Sequence, residues 1–193
     1  SGLAQKAKEF VEQVYIPDIL AVAPFYLDWA GHGAGVGNFL SYGEFPHDTV
    51  TNSSNLWLPR GIILNKDLSK VHPVDHKKVT EYVTHSWYEY TGGDATAKHP
   101  WDGETNYKYS GPKPPYAELD TDKKYTWLKA PRYDDIAMEV GPLSRMLVAY
   151  ASGHERIQAV VNSVLQKLGN LPPTVLFSTL GRIAARGIET LVT

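Results

Sequence analysis

The sequence predicts a mainly α-helical fold with short antiparallel β-strands and long ordered loops, and three observations carry that prediction. Apolar residues recur at helical spacing near both ends of the chain, through Leu3, Ala7, Phe10 and Val14 and again through Leu176, Leu180, Ile183, Gly187 and Leu191. Between residues 38 and 64 the apolar runs are short and bounded by turn formers, as in paired strands. From Tyr88 to Lys124 the chain is rich in Gly, Pro, Trp and Tyr with little periodicity, which marks a long loop that its aromatic side chains pack into order.

Composition narrows the function. A chain of 193 residues can bury one sizeable core, and a formal charge of −2 gives no field for nucleic acid, so no nucleic-acid partner is expected. There is no cysteine, which excludes disulfides, thiolate metal ligation and a cysteine nucleophile from these residues. No uninterrupted apolar run reaches the roughly 18 residues of a membrane span. The N-terminus lacks a basic-then-apolar signal segment.

Taken in order, residues 1–30 form an apolar helical face interrupted by Pro17 and Pro24, which reads as two helices or one kinked helix. Such a face must pack on the rest of the chain or on a partner. Residues 31–74 read as short strands and loops. The alternating glycines of GHGAGVG follow a helix rather than a strand, so they read as a turn and not as a phosphate cradle. Asp48 to Asn55 is then a turn, Leu56 to Leu64 the second strand arm, and Pro59 marks that arm as an edge. Residues 75–90 read as a helix capped by Asp75, with Val79, Tyr82, Val83 and Trp87 on one side. Residues 91–140 form the aromatic-rich loop region, in which Pro131 fixes Lys129 and Arg132 in a rigid turn. That turn is either a solvated basic turn or a pair of charges aimed into a polar pocket. Residues 141–193 give three helices, from Pro142 to about Ser152, from His154 to Leu168 with Gly169 as C-cap, and a third opened by Pro172-Pro173.

Candidate chemistry is sparse. His72 and His76 stand four apart, but Pro73 and Asp75 place a helix boundary between them, which favours surface histidines over a metal pair. His85, among Trp87, Tyr88 and Tyr90, reads as a satisfied structural histidine. Arg182 and Arg186 share a helix face and read as surface charges unless an acidic group covers them. Glu81 and Lys129 stand out because each charge sits among aromatic or apolar residues, where an unpaired ion is costly. Against that stand a solvated helix face for Glu81 and a snorkelling lysine for Lys129.

Several strings are specific beyond composition. FVEQVYIPDILAVAPFYLDW, GNFLSYGEFP, HSWYE, HPWDG, YTWLKAPRYDDIAMEVGPLSRMLVAYASG and STLGRIAARGIE occur in the order seen in the large subunit of nickel–iron hydrogenases, which the chain resembles over nearly its whole length. The resemblance implies the central part of that fold, as a single piece of a larger subunit. It implies an oxidoreductase that interconverts dihydrogen with protons and electrons at a nickel–iron centre carrying carbonyl and cyanide ligands, with magnesium nearby. It further implies a small-subunit partner holding iron–sulfur clusters, the remaining large-subunit segments, and the bacterial periplasm, with export borrowed from the small subunit. In that family two Cys-x-x-Cys pairs hold the metals, and this chain has neither, so its metal ligands are expected elsewhere and the chain alone should be inert. On the same resemblance, Glu81 and Lys129 fall in the polar network around the waters of the magnesium ion. The other reading is a metal-free structural or interaction protein derived from the same subunit.

Overall fold

A computed structural model describes residues 2–49, 54–115 and 118–193. The chain divides into two compact units, one of Ser1–Val74 with Glu139–Thr193 and one of Asp75–Met138.

The first unit begins with a continuous but uneven helical run: α1 (Gly2–Phe10), a π-type turn Val11–Tyr15, α2 (Ile16–Val22) and a 3-10 stretch Ala23–Gly31. The one kinked helix is the alternative realised. The π turn ends at Tyr15, two residues before Pro17, whose ring would otherwise press on the carbonyl four residues back. Pro24 opens the 3-10 stretch, and Tyr26 leaves helical geometry at φ −131°. Because the helix runs through both prolines, it is 30 residues long with a window of mean hydropathy 1.2, sufficient by length and composition alone to cross a membrane. No uninterrupted apolar stretch of the sequence reaches that length, since polar and charged residues punctuate the helix.

The glycine turn after it adopts positive φ at Gly33, Gly35 and Gly37, at 73°, 62° and 75°, which explains their alternate spacing. It leads into β1 (Phe39–Ser41) and β2 (Glu44–Pro46), and the second arm returns as β3 (Leu56–Leu58) and β4 (Gly61–Ile63). β1 pairs antiparallel with β4, Leu40 opposite Ile62, and β2 with β3, Glu44 opposite Leu58. Pro59 is not in an edge strand as expected. It lies in the break between β3 and β4, where a residue without N–H costs no ladder bond, and its carbonyl accepts from Ser41 Oγ at 2.8 Å. The centre of the expected 48–55 turn, residues 50–53, lies outside the described residues.

The C-terminal helices are α3 (Pro142–Ala151), α4 (Glu155–Lys167) and α5 (Thr179–Val192). His154 caps α4 and Gly169 follows it at φ 96°. Pro172-Pro173 opens only a 3-10 turn, Pro173–Leu176. The third helix starts later because buried Ser178 accepts from the Gly181 N–H at 3.1 Å and supplies the cap. Phe39, Leu58, Ile63, Leu147, Ile157 and Ile188 are fully or almost fully buried at the centre of this unit, and Phe39 stacks on Phe177 with centroids 5.5 Å apart. Gly187 lets the N-terminal run approach α5: a Cβ there would stand 2.6 Å from the Tyr15 ring.

In the second unit the expected 75–90 helix is absent. Asp75 does cap, accepting from the Lys77 N–H at 3.0 Å, but only the single 3-10 turn His76–Lys78 follows. The chain then extends as β5 (Val79–Tyr82), continues through β6 (Tyr88–Glu89) and β7 (Asn106–Tyr107), and ends in β8 (Ala130–Tyr133) and β9 (Ile136–Ala137). Valine, threonine and tyrosine favour a pleated surface, and β8 gives β5 a partner, which outweighs a coincidental helical spacing. Where a turn was expected at Lys129 to Arg132, the chain is a strand from Ala130 onward, the middle one of β5-β8-β9. The turn comes after it, at Asp134 and Asp135 with φ of 51° and 63°.

Candidate functional site

Register decides which side chains meet in the second unit. β5 and β8 run antiparallel with Glu81 opposite Pro131. A proline is tolerated there because both backbone groups of Glu81 turn the other way, its N–H to the Lys98 carbonyl at 2.9 Å and its carbonyl to the Lys98 N–H at 3.1 Å. Lys129 stands just before β8, and its ammonium reaches Glu81 Oε1 at 2.7 Å. Both side chains are about four-fifths buried, at 18% and 20% exposure.

The surroundings fix this pair. Lys129 Nζ also donates to the Glu104 carbonyl at 2.8 Å, and the Tyr90 hydroxyl donates to Glu81 Oε1 at 3.2 Å. The ammonium lies 5.6 Å and 5.5 Å from the ring centroids of Tyr88 and Tyr90. Lys98 adds a second ammonium 4.8 Å from the Tyr90 ring and pairs with the Glu104 carboxylate. That carboxylate also accepts from Thr91 N–H at 3.0 Å and Thr91 Oγ1 at 2.8 Å. Lys98 first, then the Thr91 bonds, hold the Glu104 pKa down to about 2. Burial first, then the Glu81 charge, pushes the Tyr90 phenol above its ordinary value, so it stays protonated and donating. Glu81 Oε2 and the third ammonium proton of Lys129 have no hydrogen-bond partner among the described residues. Chemically, the pair can offer one acceptor and one donor to an adjacent polar group.

The structure thus brings together the two residues singled out in the sequence, but with Glu81 on a strand rather than a helix and Lys129 just before a strand rather than in a turn, and largely buried rather than solvated. His85 is satisfied, its Nδ1 2.8 Å from the Lys123 carbonyl and its ring stacked on Tyr125. His72 contributes a backbone bridge to Ile62, and the His76 carbonyl lies 3.0 Å from His99 Nε2. Arg186 is exposed, whereas Arg182 is covered: Glu139 grips it through two oxygens at 2.7 Å and 2.6 Å and holds its pKa above the ordinary value. Sequence reasoning missed Lys124, whose ammonium donates to the carbonyls of Val83, Ser86 and Tyr88 at 3.0, 2.8 and 2.6 Å and pairs with Asp94 at 2.7 Å. Burial pushes the Asp94 carboxyl up, but Lys124 and the Tyr90 N–H outweigh it, and its pKa is lowered. In DTDKK, Lys124 carries no signal that separates it from a solvated lysine. Lys98 and Glu104 flank HPWDG, so that string was the available pointer to them.

The helices and short antiparallel sheets of this chain match those of solved hydrogenase structures. The [NiFeSe]-hydrogenase of Dm. baculatum is similar with a TM-score of 0.69 and 28% identity, over 98% of this chain and 36% of that one. Residues 1–193 match the nickel-dependent hydrogenase family, and the chain belongs to it. It is 46% identical over 192 residues to the uptake hydrogenase large subunit of Rhizobium leguminosarum bv. viciae, covering 94% of this chain and 32% of that protein. It is 43% identical over 202 residues to that of Bradyrhizobium diazoefficiens, covering 99% and 34%. The chain therefore spans about a third of the length of these relatives.

The residues present do not fit a nickel–iron centre. There is no cysteine, and among the described residues no group of three or more His, Asp and Glu could hold a metal ion.

Proposed function

We propose that this chain is part of the large, catalytic subunit of a nickel–iron hydrogenase that reversibly oxidises dihydrogen to protons and electrons. Its role there is scaffold and surroundings of the metal site, with the metal ligands supplied by other segments. Family membership and the large-subunit relatives support this reading, and they do not favour a metal-free structural protein. The complete enzyme would carry a nickel–iron centre with carbonyl and cyanide ligands, a magnesium ion, and a small subunit with iron–sulfur clusters in the periplasm.

The observation that carries the site assignment is the Lys129–Glu81 pair at 2.7 Å, buried among Tyr88 and Tyr90. A buried ion pair whose remaining acceptor and donor are unused is suited to holding the waters around a magnesium ion and passing protons along them. In the complete enzyme, Lys129→Ala should lower turnover about 10–100-fold, or magnesium retention, more than it lowers the melting temperature. An unaltered rate with full magnesium content would remove the assignment. Metal analysis finding neither nickel nor iron in the intact complex would remove the hydrogenase reading itself.

A further inference from the structure

The stretch Lys98 to Glu104 is tied to the Glu81–Lys129 pair at both of its ends. Its first residue exchanges both backbone hydrogen bonds with Glu81. Its last gives its carbonyl to Lys129 Nζ at 2.8 Å. Between them, the Asp102 N–H bonds the His99 carbonyl at 2.9 Å and the Trp101 N–H bonds His99 Nδ1 at 3.1 Å, while His99 Nε2 is anchored 3.0 Å from the His76 carbonyl. The two ends are also clamped to each other by the Lys98–Glu104 ion pair.

Gly103 is the informative position. Its φ is not in the left-handed region, so backbone freedom does not require glycine here. Volume does: a Cβ would stand 2.7 Å from Glu81 Oε1 and 3.4 Å from the carbonyls of His99 and Pro100. The glycine vacates the place that the carboxylate occupies. A methyl group there meets the end of a flexible side chain first, so the carboxylate swings away before the backbone yields.

We propose that Lys98 to Glu104 is the positioning element of the Glu81–Lys129 pair, with Gly103 setting the carboxylate and the Glu104 carbonyl, held by Lys98, setting the ammonium. The inference rests on the role assigned to that pair under Proposed function. Gly103 and Glu104 are positioning residues; they act through Glu81 and Lys129. An ion pair of this burial gains from its mutual attraction only while its geometry is held, which gives such an element its function.

The test uses the complete enzyme carrying Gly103→Ala, the double variant Gly103→Ala with Glu81→Asp, and Lys98→Met. Crystal structures of the variants report the pair directly, and pH–rate profiles report its consequence. In Gly103→Ala the Glu81 carboxylate should lie beyond hydrogen-bond reach of Lys129 Nζ, more than about 3.2 Å away. Turnover should fall about tenfold with an altered pH profile and an unchanged KM for dihydrogen. Aspartate, shorter by one methylene, should restore much of the turnover in the double variant, a rescue that a merely structural glycine would not show. If Gly103→Ala does not fold, Lys98→Met carries the test, and there Lys129 Nζ should lose the Glu104 carbonyl. Persistence of the contact concerned in each variant that folds overturns the proposal. A separated pair with unaltered turnover and pH profile upholds the positioning element and instead removes the role assigned to the pair.

Discussion

At the Glu104 carboxyl, Lys98, the Thr91 N–H and hydroxyl, and the Asn106 amide compete with a proton, and the outcome has a definite sign in pH. The folded pKa of about 2 lies below the ordinary 4.5, so the Lys98–Glu104 contribution is fully present above about pH 4.5 and is lost as pH falls through about 2. A carbon-detected titration of this carboxyl should show its inflection near 2; an inflection near 4.5 would mean that Lys98 and Thr91 do not hold it in solution. Lys124 supports a larger prediction. Lys124→Met would leave the three carbonyls of Val83, Ser86 and Tyr88 and the Asp94 carboxylate without their common cation. The expected loss is about 3 kcal/mol in denaturant unfolding, and a loss under about 0.5 kcal/mol would show that water replaces the ammonium freely. Glu81 and Lys129 were legible in sequence because their aromatic neighbours make a lone charge expensive. Lys124 was not, because the backbone carbonyls of Val83, Ser86 and Tyr88 leave no trace in residue type.

Among the elements, the helical ends of the chain were readable and the strands of the second unit were not. The apolar spacing of α5 reports burial on one face of a helix, a signal that survives without tertiary information, whereas that of the N-terminal run reports the helix although Leu3, Phe10 and Val14 stay exposed. β5 carries a helix-like spacing and a true cap at Asp75, yet it is a strand because its partner lies about 50 residues downstream in β8, Val79 opposite Tyr133. Pro131 misled in the same way. Only the register shows that Glu81 needs no bond from it. At Gly187 the structure makes an element-level prediction: Gly187→Leu should push Tyr15 off α5 and cost about 1–3 kcal/mol. Hydrogen exchange should then rise in residues 11–22 while α3 stays protected. Equal acceleration in both would mean that the N-terminal run and the helical core open as one body.

For the molecule as a whole, the ordered strings of the sequence carry the family and the missing cysteines set the limit on its chemistry. Both are properties of residue identity and are legible in the amino-acid order alone. The Lys98 to Glu104 element and the Glu139 grip on Arg182 depend on long-range packing, which residue order does not display. Leu3 and Phe25 are exposed at 80% and 83% on the N-terminal run and Trp101 at 80% in the other unit. So much apolar surface predicts self-association of this chain expressed alone, which sizing chromatography reads directly, and a clean monomer at micromolar concentration would contradict it. The central claim is that these residues surround a metal site that other segments ligate. Diffraction from the complete enzyme at the nickel absorption edge tests it most directly. The account predicts a nickel peak bonded to no atom of this sequence, with Glu81 and Lys129 joined to a nearby magnesium through its waters. Nickel bonded to any side chain of these 193 residues would contradict it.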